Sequence, residues 1–496
     1  MSLKVLLTCE KSFRTKAQHA IEMLAMILGE SAQFVRKEQC KSSDIVLCYG
    51  RRDALSRFPG KHVIISGSEE AWRMFDLKEH YPHEIARRCT INGEQSLALF
   101  YDREFEKDPR KIVGKERRDI VIHVDIVASA FFFLSGWQEW RSPDADIHQR
   151  FPVESSIQFA FGLLNRPIVD QYATLLEKAL KKFSWRRSRT GRYQGKSFAV
   201  LMTHDIDHTR KWTPGIIYRE CVRYLILNRR NDFVKDRLNR FGHFLRMLSI
   251  QNDPYRNSIE IILAAEKAAG AHSTFFFKAG GNDKRDVTYS LKNAFVNKLL
   301  EILRKGGHQV GLHPSYSAYS QKSMMSEEQK KLAAVTGEPV AAVREHFLRF
   351  EMPLTWRIQD ELGFEYDSTL GFAGHEGFRM ATCHPFRAYD IEHDRPLRLW
   401  EIPLIAMDDT FVSYRELDAS ASWKAICELL ETVKKHRGVA VLLFHNSCYD
   451  ELDNQGWGTI FESTVRWCVE NDAALLNGHE VLDSYRKASG KISEIK

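Results

Sequence analysis

Four apolar runs restrict this chain more than any other feature, because three of them end on an acid or a histidine. They are residues 197–205 (SFAVLMTHD), 272–280 (HSTFFFKAG), 308–315 (HQVGLHPS) and 439–447 (VAVLLFHNS). Runs this short and this apolar suit strands buried on both faces. Between them lie stretches with helical spacing at 258–269, 291–305, 326–336 and 422–435. Strands alternating with helices predict parallel βα units. Polar residues gathered at the carboxyl ends of successive strands predict an α/β fold, a distorted (β/α) barrel with its site on that face.

The 496 residues are too many for one ordinary core. The first 190 residues read as a smaller α/β domain and residues 191–496 as the barrel. Strand candidates at 4–8, 44–48 and 62–66 mark the first part. An apolar stretch covers 119–133, and an amphipathic helix at 167–182 carries Ile168, Tyr172, Leu175, Leu176 and Leu180 on one side. Residues 185–196 (WRRSRTGRYQGK) are basic and hold two glycines, which reads as a linker. The nine cysteines are scattered without a CxxC pair, which argues against a zinc ribbon or a disulfide framework.

Apolar content of 44% and charged content of 28% are those of an ordinary globular protein. The net charge of +7 tolerates an acidic partner without demanding one. No RNP motif, zinc finger or helix-turn-helix pattern occurs, so nucleic acid is not an expected partner. The opening MSLKVLLTCEKSFRTK lacks the apolar stretch and cleavage site of a signal peptide, and no run of about 18 apolar residues is present. The expectation is a cytoplasmic protein without a transmembrane segment. Its oligomeric state is left open.

Three strand ends carry candidate chemistry. In THDIDH, Asp205 and Asp207 share one face of an extended chain. Carboxylates so close repel unless a cation lies beside them, though acids also cap ordinary strand ends. His313 follows the strand QVGL directly, where barrel sites form, and imidazole is a common metal ligand. Ser317 lies one helical turn further on, with N-capping as its plain alternative. His445 closes the strand of 439–444. A single such histidine is more often structural, but three in one chain make coincidence harder to sustain.

In order and rough spacing, residues 197 to about 480 resemble the polysaccharide deacetylase family, also called NodB-homology or carbohydrate esterase family four. The THDID segment stands where that family has T-F-D-D-G or T-x-D-x-D, and Thr274-Phe275-Phe276-Phe277 matches its TFF strand. Residues 307–313 (GHQVGLH) match part of G-H-x-x-G-x-H-[ST]-x-x-H. Arg344-Glu345-His346 stands at R-x-P, 363–369 (GFEYDST) matches G-[FY]-x-Y-D-S-[ST], and 442–445 (LLFH) matches L-x-x-H. The whole chain is similar to the branch with an extra N-terminal domain of unassigned function.

The resemblance implies a hydrolase that removes acetyl from an N-acetylated sugar of a bacterial polysaccharide or its precursor. Asp205 would be the general base, Arg344 its partner and His445 the general acid. Asp207 and His313 would bind a divalent ion, zinc by expectation. Ser317 stands where the family has a second metal histidine. The expected set is therefore Asp207, His313 and, weakly, Ser317 or a water, with His346, His204 and His208 as competitors. A catalytically inactive carbohydrate-binding or scaffold protein on the same barrel is the alternative, and Ser317 is the residue that favours it.

Three further features invite a role. Residues 213–252 are rich in arginine and large apolar side chains, which suits a helical hairpin packed on the barrel or a cap over the site. Such a cap could touch lipid or a lipid-linked sugar. Arg379 could hold a substrate phosphate or carboxylate, or tie down its own loop. Asp408 and Asp409 could reach the mouth of the barrel or form a solvated turn.

Overall fold

The computed structural model describes residues 2–51, 59–187, 192–212, 218, 242, 245, 253–286, 289–447, 449–450, 454 and 456–488. The insert expected at 213–252 therefore lies almost wholly outside the described residues. Two large mixed α/β layers account for most of the rest. In the first, strands β1 (Ser2–Thr8), β2 (Ser31–Phe34), β3 (Ile45–Gly50), β4 (Lys61–Ser66), β7 (Val113–Glu116) and β8 (Asp119–Ile122) form one sheet in the order β2-β1-β3-β4-β8-β7. Every pairing is parallel except β7 with β8. A hairpin of β5 (Arg87–Ile91) and β6 (Glu94–Ala98) stands apart. The apolar stretch of 119–133 divides into β8 and the helix Ile126–Leu134, with Asp125 accepting a hydrogen bond from the Ala128 amide at the helix start.

The second sheet holds β9 (Ala199–Ile206), β10 (Thr274–Phe277), β11 (Gln309–Leu312), β12 (Ala342–Val343), β13 (Tyr366–Asp367), β14 (Phe386–Asp390), β15 (Arg395–Glu401), β16 (Ala406–Met407), β17 (Val439–Leu443) and β18 (Ala474–Leu475). Its order is β14-β15-β13-β12-β11-β10-β9-β17-β16, with β18 beside β9. All pairs are parallel except β14 with β15. The helices Pro254–Ala269, Ala294–Lys305, Lys322–Thr336 and Ala419–His436 fall where their spacing predicted them.

Closure of this sheet departs from the barrel expectation. Among the described residues no ladder joins its two ends, so the sheet is open. It is nonetheless curled. β15 and β16 are seven strand positions apart, about 34 Å across a flat sheet at roughly 4.8 Å per strand. Yet only residues 402–405 connect Glu401 to Ala406, a reach of at most about 18 Å. The chain itself crosses the gap that a hydrogen-bonded seam would close. The Ile402 amide donates to Asp367 O on one side, and the Ile405 amide donates to Val441 O on the other.

One buried apolar cluster runs through both layers, from Leu3 to Tyr485. The rings of Phe131 and His19 from the first part lie 5.0 and 4.9 Å from that of Tyr389 in β14. A buried polar link between the two parts is Arg379, whose guanidinium meets the Glu139 carboxylate at 2.6 Å and also donates to Gly371 O. Both side chains are almost fully buried. Of the two roles open to Arg379 in the sequence, the structure supplies the loop tie and leaves no free guanidinium for a substrate anion. Removing one partner strands a buried charge. Glu139→Ala should lower stability by about 3–5 kcal/mol, and Glu139→Ala with Arg379→Met should recover part of that loss in denaturant unfolding. A loss below about 1 kcal/mol for the single change would mean that water reaches Arg379.

Candidate metal centre

The register of the second sheet gathers the site. Ile206, Phe277, Leu312 and Val343 are aligned neighbours at the ends of β9, β10, β11 and β12. The next residue along each strand is therefore Asp207, Lys278, His313 and Arg344. β16 and β17 carry Asp408 and His445 just beyond their last paired residues, Met407 and Leu443.

Asp207, His313 and His346 offer ligand atoms that lie within 4.8 Å of one another. Asp207 Oδ1 is 3.4 Å from His313 Nε2 and 3.8 Å from His346 Nε2. That oxygen is buried and has no hydrogen-bond partner. A buried carboxylate oxygen without a partner, facing two imidazole nitrogens, is the arrangement a divalent ion satisfies. Each histidine is oriented from behind. His313 Nδ1 lies 2.7 Å from Arg344 O, an acceptor, so Nδ1 carries the proton and Nε2 presents a lone pair to the site. His346 Nδ1 lies 3.1 Å from Asp286 Oδ1.

Electrostatics favour the same state. Burial would raise the Asp207 carboxyl, but His313, His346 and His445 outweigh it and hold the group well below the usual carboxylate range. Burial pushes the His346 imidazole down, against the pull of Asp286 and Asp207. Asp286 is itself held down at about 2. Burial opposes that shift, while His346, the Tyr316 amide and Lys278 produce it. Lys278 Nζ sits 3.1 Å from the His346 ring nitrogens and 3.4 Å from Asp286 Oδ1.

The remaining groups flank this set. Arg344 is wholly buried and reaches Asp205 Oδ1 at 3.3 Å, while Asp205 Oδ2 faces His313 Nε2 at 3.7 Å. His445 Nε2 approaches Asp207 Oδ2 at 3.7 Å from the other side. Its Nδ1 lies 2.6 Å from Asp408 Oδ1, and its main-chain amide donates to Asp408 Oδ2 at 2.7 Å. Burial would push this imidazole down. The charge and hydrogen bond of Asp408, followed by Asp207 and Asp409, win and hold it well above its ordinary value.

Ser317 stands at the N-cap of the 3-10 helix Ala318–Ser320, and its side chain makes no capping hydrogen bond there. His204 is elsewhere, bonded to Glu266 at 3.0 Å and Phe444 O at 2.8 Å, while His208 packs its ring against Tyr255. His346 is brought in because the chain turns sharply after it, with Phe347 and Leu348 both at positive φ, 61° and 53°. Such a backbone costs about 1–3 kcal/mol per residue and persists only where its surroundings hold it. Here Arg150 donates to Phe347 O, Arg349 donates to His148 O and Tyr316 O, and the His148 ring lies 4.7 Å from Phe347. The segment around 148–150 from the first part thus braces the turn that carries His346. Asp408 binds His445 rather than forming a solvated turn. Lys278 and Asp286 were not singled out as sequence, although Lys278 directly follows the TFFF strand.

Residues 5–184 match a family of unknown function, DUF7033. No curated protein matches the chain. Solved structures similar to it include a probable polysaccharide deacetylase from Pseudomonas aeruginosa PAO1, at 12% identity and TM-score 0.40. That match spans 59% of this chain and 92% of that one. PuuE allantoinase matches at 13% identity and TM-score 0.39, over 59% of this chain and 91% of that one. A CE4 family pseudoenzyme from Bacillus anthracis matches at 13% identity and TM-score 0.28, over 58% and 66%.

Asp286→Asn should weaken divalent-metal affinity by about 10–100-fold, as loss of a ligand's hydrogen-bond partner does. His346→Ala should weaken it further, and Ser317→Ala should leave it unchanged in titration with zinc. A Ser317→Ala protein that loses its metal would place Ser317 in the ligand set.

Proposed function

We propose that this chain is a metal-dependent hydrolase that removes the acetyl group from an N-acetylated sugar of a polysaccharide or its precursor. One observation carries the reading: an Asp207–His313–His346 ligand group lies between Asp205, held by Arg344, and His445, held by Asp408. A carboxylate and a protonated imidazole flanking one candidate ligand group suit hydrolysis of an amide, which needs a base first and an acid afterwards. The binding-protein alternative drew its support from Ser317. The His346 side chain supplies the second imidazole that Ser317 does not, which supports the hydrolase reading.

The donor set of one carboxylate and two imidazoles suits zinc or a similar transition ion. When bound, that ion would polarise the acetyl carbonyl and acidify a water, supplying both electrophile and nucleophile. The chain's own residues do the rest. Arg344 occupies Asp205 Oδ1, which leaves Oδ2 on the site side to accept the water proton. His313 and His346 keep their Nε2 atoms toward Asp207 because Arg344 O and Asp286 hold their Nδ1 atoms. His445 carries a proton at neutral pH and delivers it from Nε2 to the departing amine nitrogen, with Asp408 fixing the ring. The +7 charge and the sugar-type substrate of the resembled family together suit an anionic or lipid-linked glycan. Residues 1–190 fit an accessory domain that supports the site from its rim, joined to residues 191–496. No helix among the described residues is long and apolar enough to cross a membrane.

Acetate release from N-acetylglucosamine oligomers, with zinc restored after chelation, tests the reading. Asp205→Asn should lower kcat by about 10²–10⁴-fold while metal content stays unchanged. Full activity in that variant would end the deacetylase assignment. The alkaline limb of the pH profile should report loss of the His445 proton. Asp408 raises that group, so Asp408→Asn should move the limb to lower pH and reduce kcat. A limb that stays in place would show that His445 is not the acid.

A further inference from the structure

A second group of potential ligands lies far along the chain from the first. Asp170, Cys383 and His384 also offer donor atoms within 4.8 Å of one another, and all three are fully buried. Asp170 belongs to the helix Ile168–Lys181 of the first part, whereas Cys383 and His384 precede β14 in the second. Cys383 Sγ is 3.1 Å from Asp170 Oδ1, and His384 Nε2 is 3.3 Å from the same oxygen. The main-chain oxygen of His436 lies 3.3 Å from His384 Nε2 as well. A tetrahedral ion with bonds of about 2.0–2.3 Å has ligand–ligand edges of roughly 3.3–3.7 Å. The observed separations are close to those edges.

The protons make the case stronger. Tyr193 OH lies 3.2 Å from Arg437 O, to which it can only donate. Tyr485 OH, 2.6 Å from Tyr193 OH, must then donate to Tyr193. His384 Nδ1, 2.5 Å from Tyr485 OH, must in turn be the donor to Tyr485. A neutral His384 therefore turns the bare lone pair of Nε2 toward Asp170 Oδ1 and His436 O, both of which are acceptors. The Nε2 lone pair thus meets two oxygens, while Cys383 Sγ donates its thiol proton to Asp170 Oδ1. Asp170 Oδ2 is also buried and has no hydrogen-bond partner. Backbone spacing fits too. A Cβ at Gly438 would meet Cys383 Sγ at 2.3 Å, so only glycine lets the strand entering β17 pass this close to the sulfur.

We propose that Asp170, Cys383 and His384, with the main-chain oxygen of His436, form a second, structural site for a zinc-type ion that clamps the first part of the chain to the second. A thiolate, a carboxylate and a neutral imidazole give a divalent ion a net charge of zero. That balance is what a fully buried site requires. Binding displaces the thiol proton of Cys383 to solvent, and the His384–Tyr485–Tyr193–Arg437 relay fixes the imidazole. The site is closed to solvent, so the ion enters during folding.

The test uses the full chain, expressed in cobalt-supplemented medium, with metal counted by mass spectrometry and absorption read in the near ultraviolet. The Asp207 group contains no sulfur, so thiolate-to-cobalt charge transfer reports on the cysteine site alone. The wild type should hold two equivalents and show the band. Asp207→Ala should hold one equivalent and keep the band. Cys383→Ser should lose one equivalent and the band. Absence of the band in cobalt-loaded wild type overturns the proposal whether or not Cys383→Ser folds. A band that survives in folded Cys383→Ser overturns it as well. Loss of all metal in Asp207→Ala would overturn it while leaving the first centre in place.

Discussion

Arg344 is the residue on which the rest of the site depends. Its guanidinium is wholly out of water, and a charge there is tolerated only if every N–H finds a partner. It donates to Thr203 Oγ1 and Asp205 Oδ1 on β9, and to the main-chain and side-chain oxygens of Ser368 after β13. β9 and β13 are not neighbours in the sheet, since β10, β11 and β12 lie between them. A single cation therefore ties strands across the inside of the curl, and its side chain also covers the face of Phe276 at 4.7 Å. Its own carbonyl orients His313. The interaction that holds the curl together and the one that aims the base and a ligand are thus the same.

The curl follows from chain length as well as from charge. Four residues between β15 and β16 cannot cross a flat sheet of this width. The strands must wrap, and wrapping brings their carboxyl ends toward one another. Glu401, at the end of β15, lies behind this region with Asp367 and Glu345, all three raised in pKa chiefly by burial. Glu401 accepts from Trp356 and the Leu370 amide, and Glu345 accepts from Gln359. The first part of the chain contributes at the rim and through the core rather than through ligands to the Asp207 group. Arg150 and His148 brace the strained turn after His346, and Glu139 neutralises Arg379.

Much of this was legible from residue order. Apolar runs ending in Asp207, His313 and His445 announce buried parallel strands, because such runs are short, β-compatible and separated by helical spacing. What escaped reading depends on contacts that spacing does not encode. His346 was one of three competing histidines in the sequence, and the two consecutive positive-φ residues that follow it, Phe347 and Leu348, are announced by no local pattern. Ser317, four residues after His313, sits in a turn that leads into the 3-10 helix Ala318–Ser320 rather than one helical turn beyond His313. Asp408 resembles any acidic pair after a strand until β16 is seen beside β17. Lys278 and Asp286 matter only because they hold His346, so they carry no signal of their own.

By itself, therefore, the sequence determined which side chains stand at the carboxyl ends of the strands, since strand identity and polarity follow from local hydrophobic pattern. It also determined that Asp205 and Asp207 share a face, because the side-chain period of a strand is two. Only the tertiary structure decided which of the histidines faces Asp207, whether the sheet closes, and which acid holds His445. Those outcomes rest on strand order, on a strained turn braced from a distant segment, and on buried charges that must find partners far along the chain. None of them is a property of neighbouring residues.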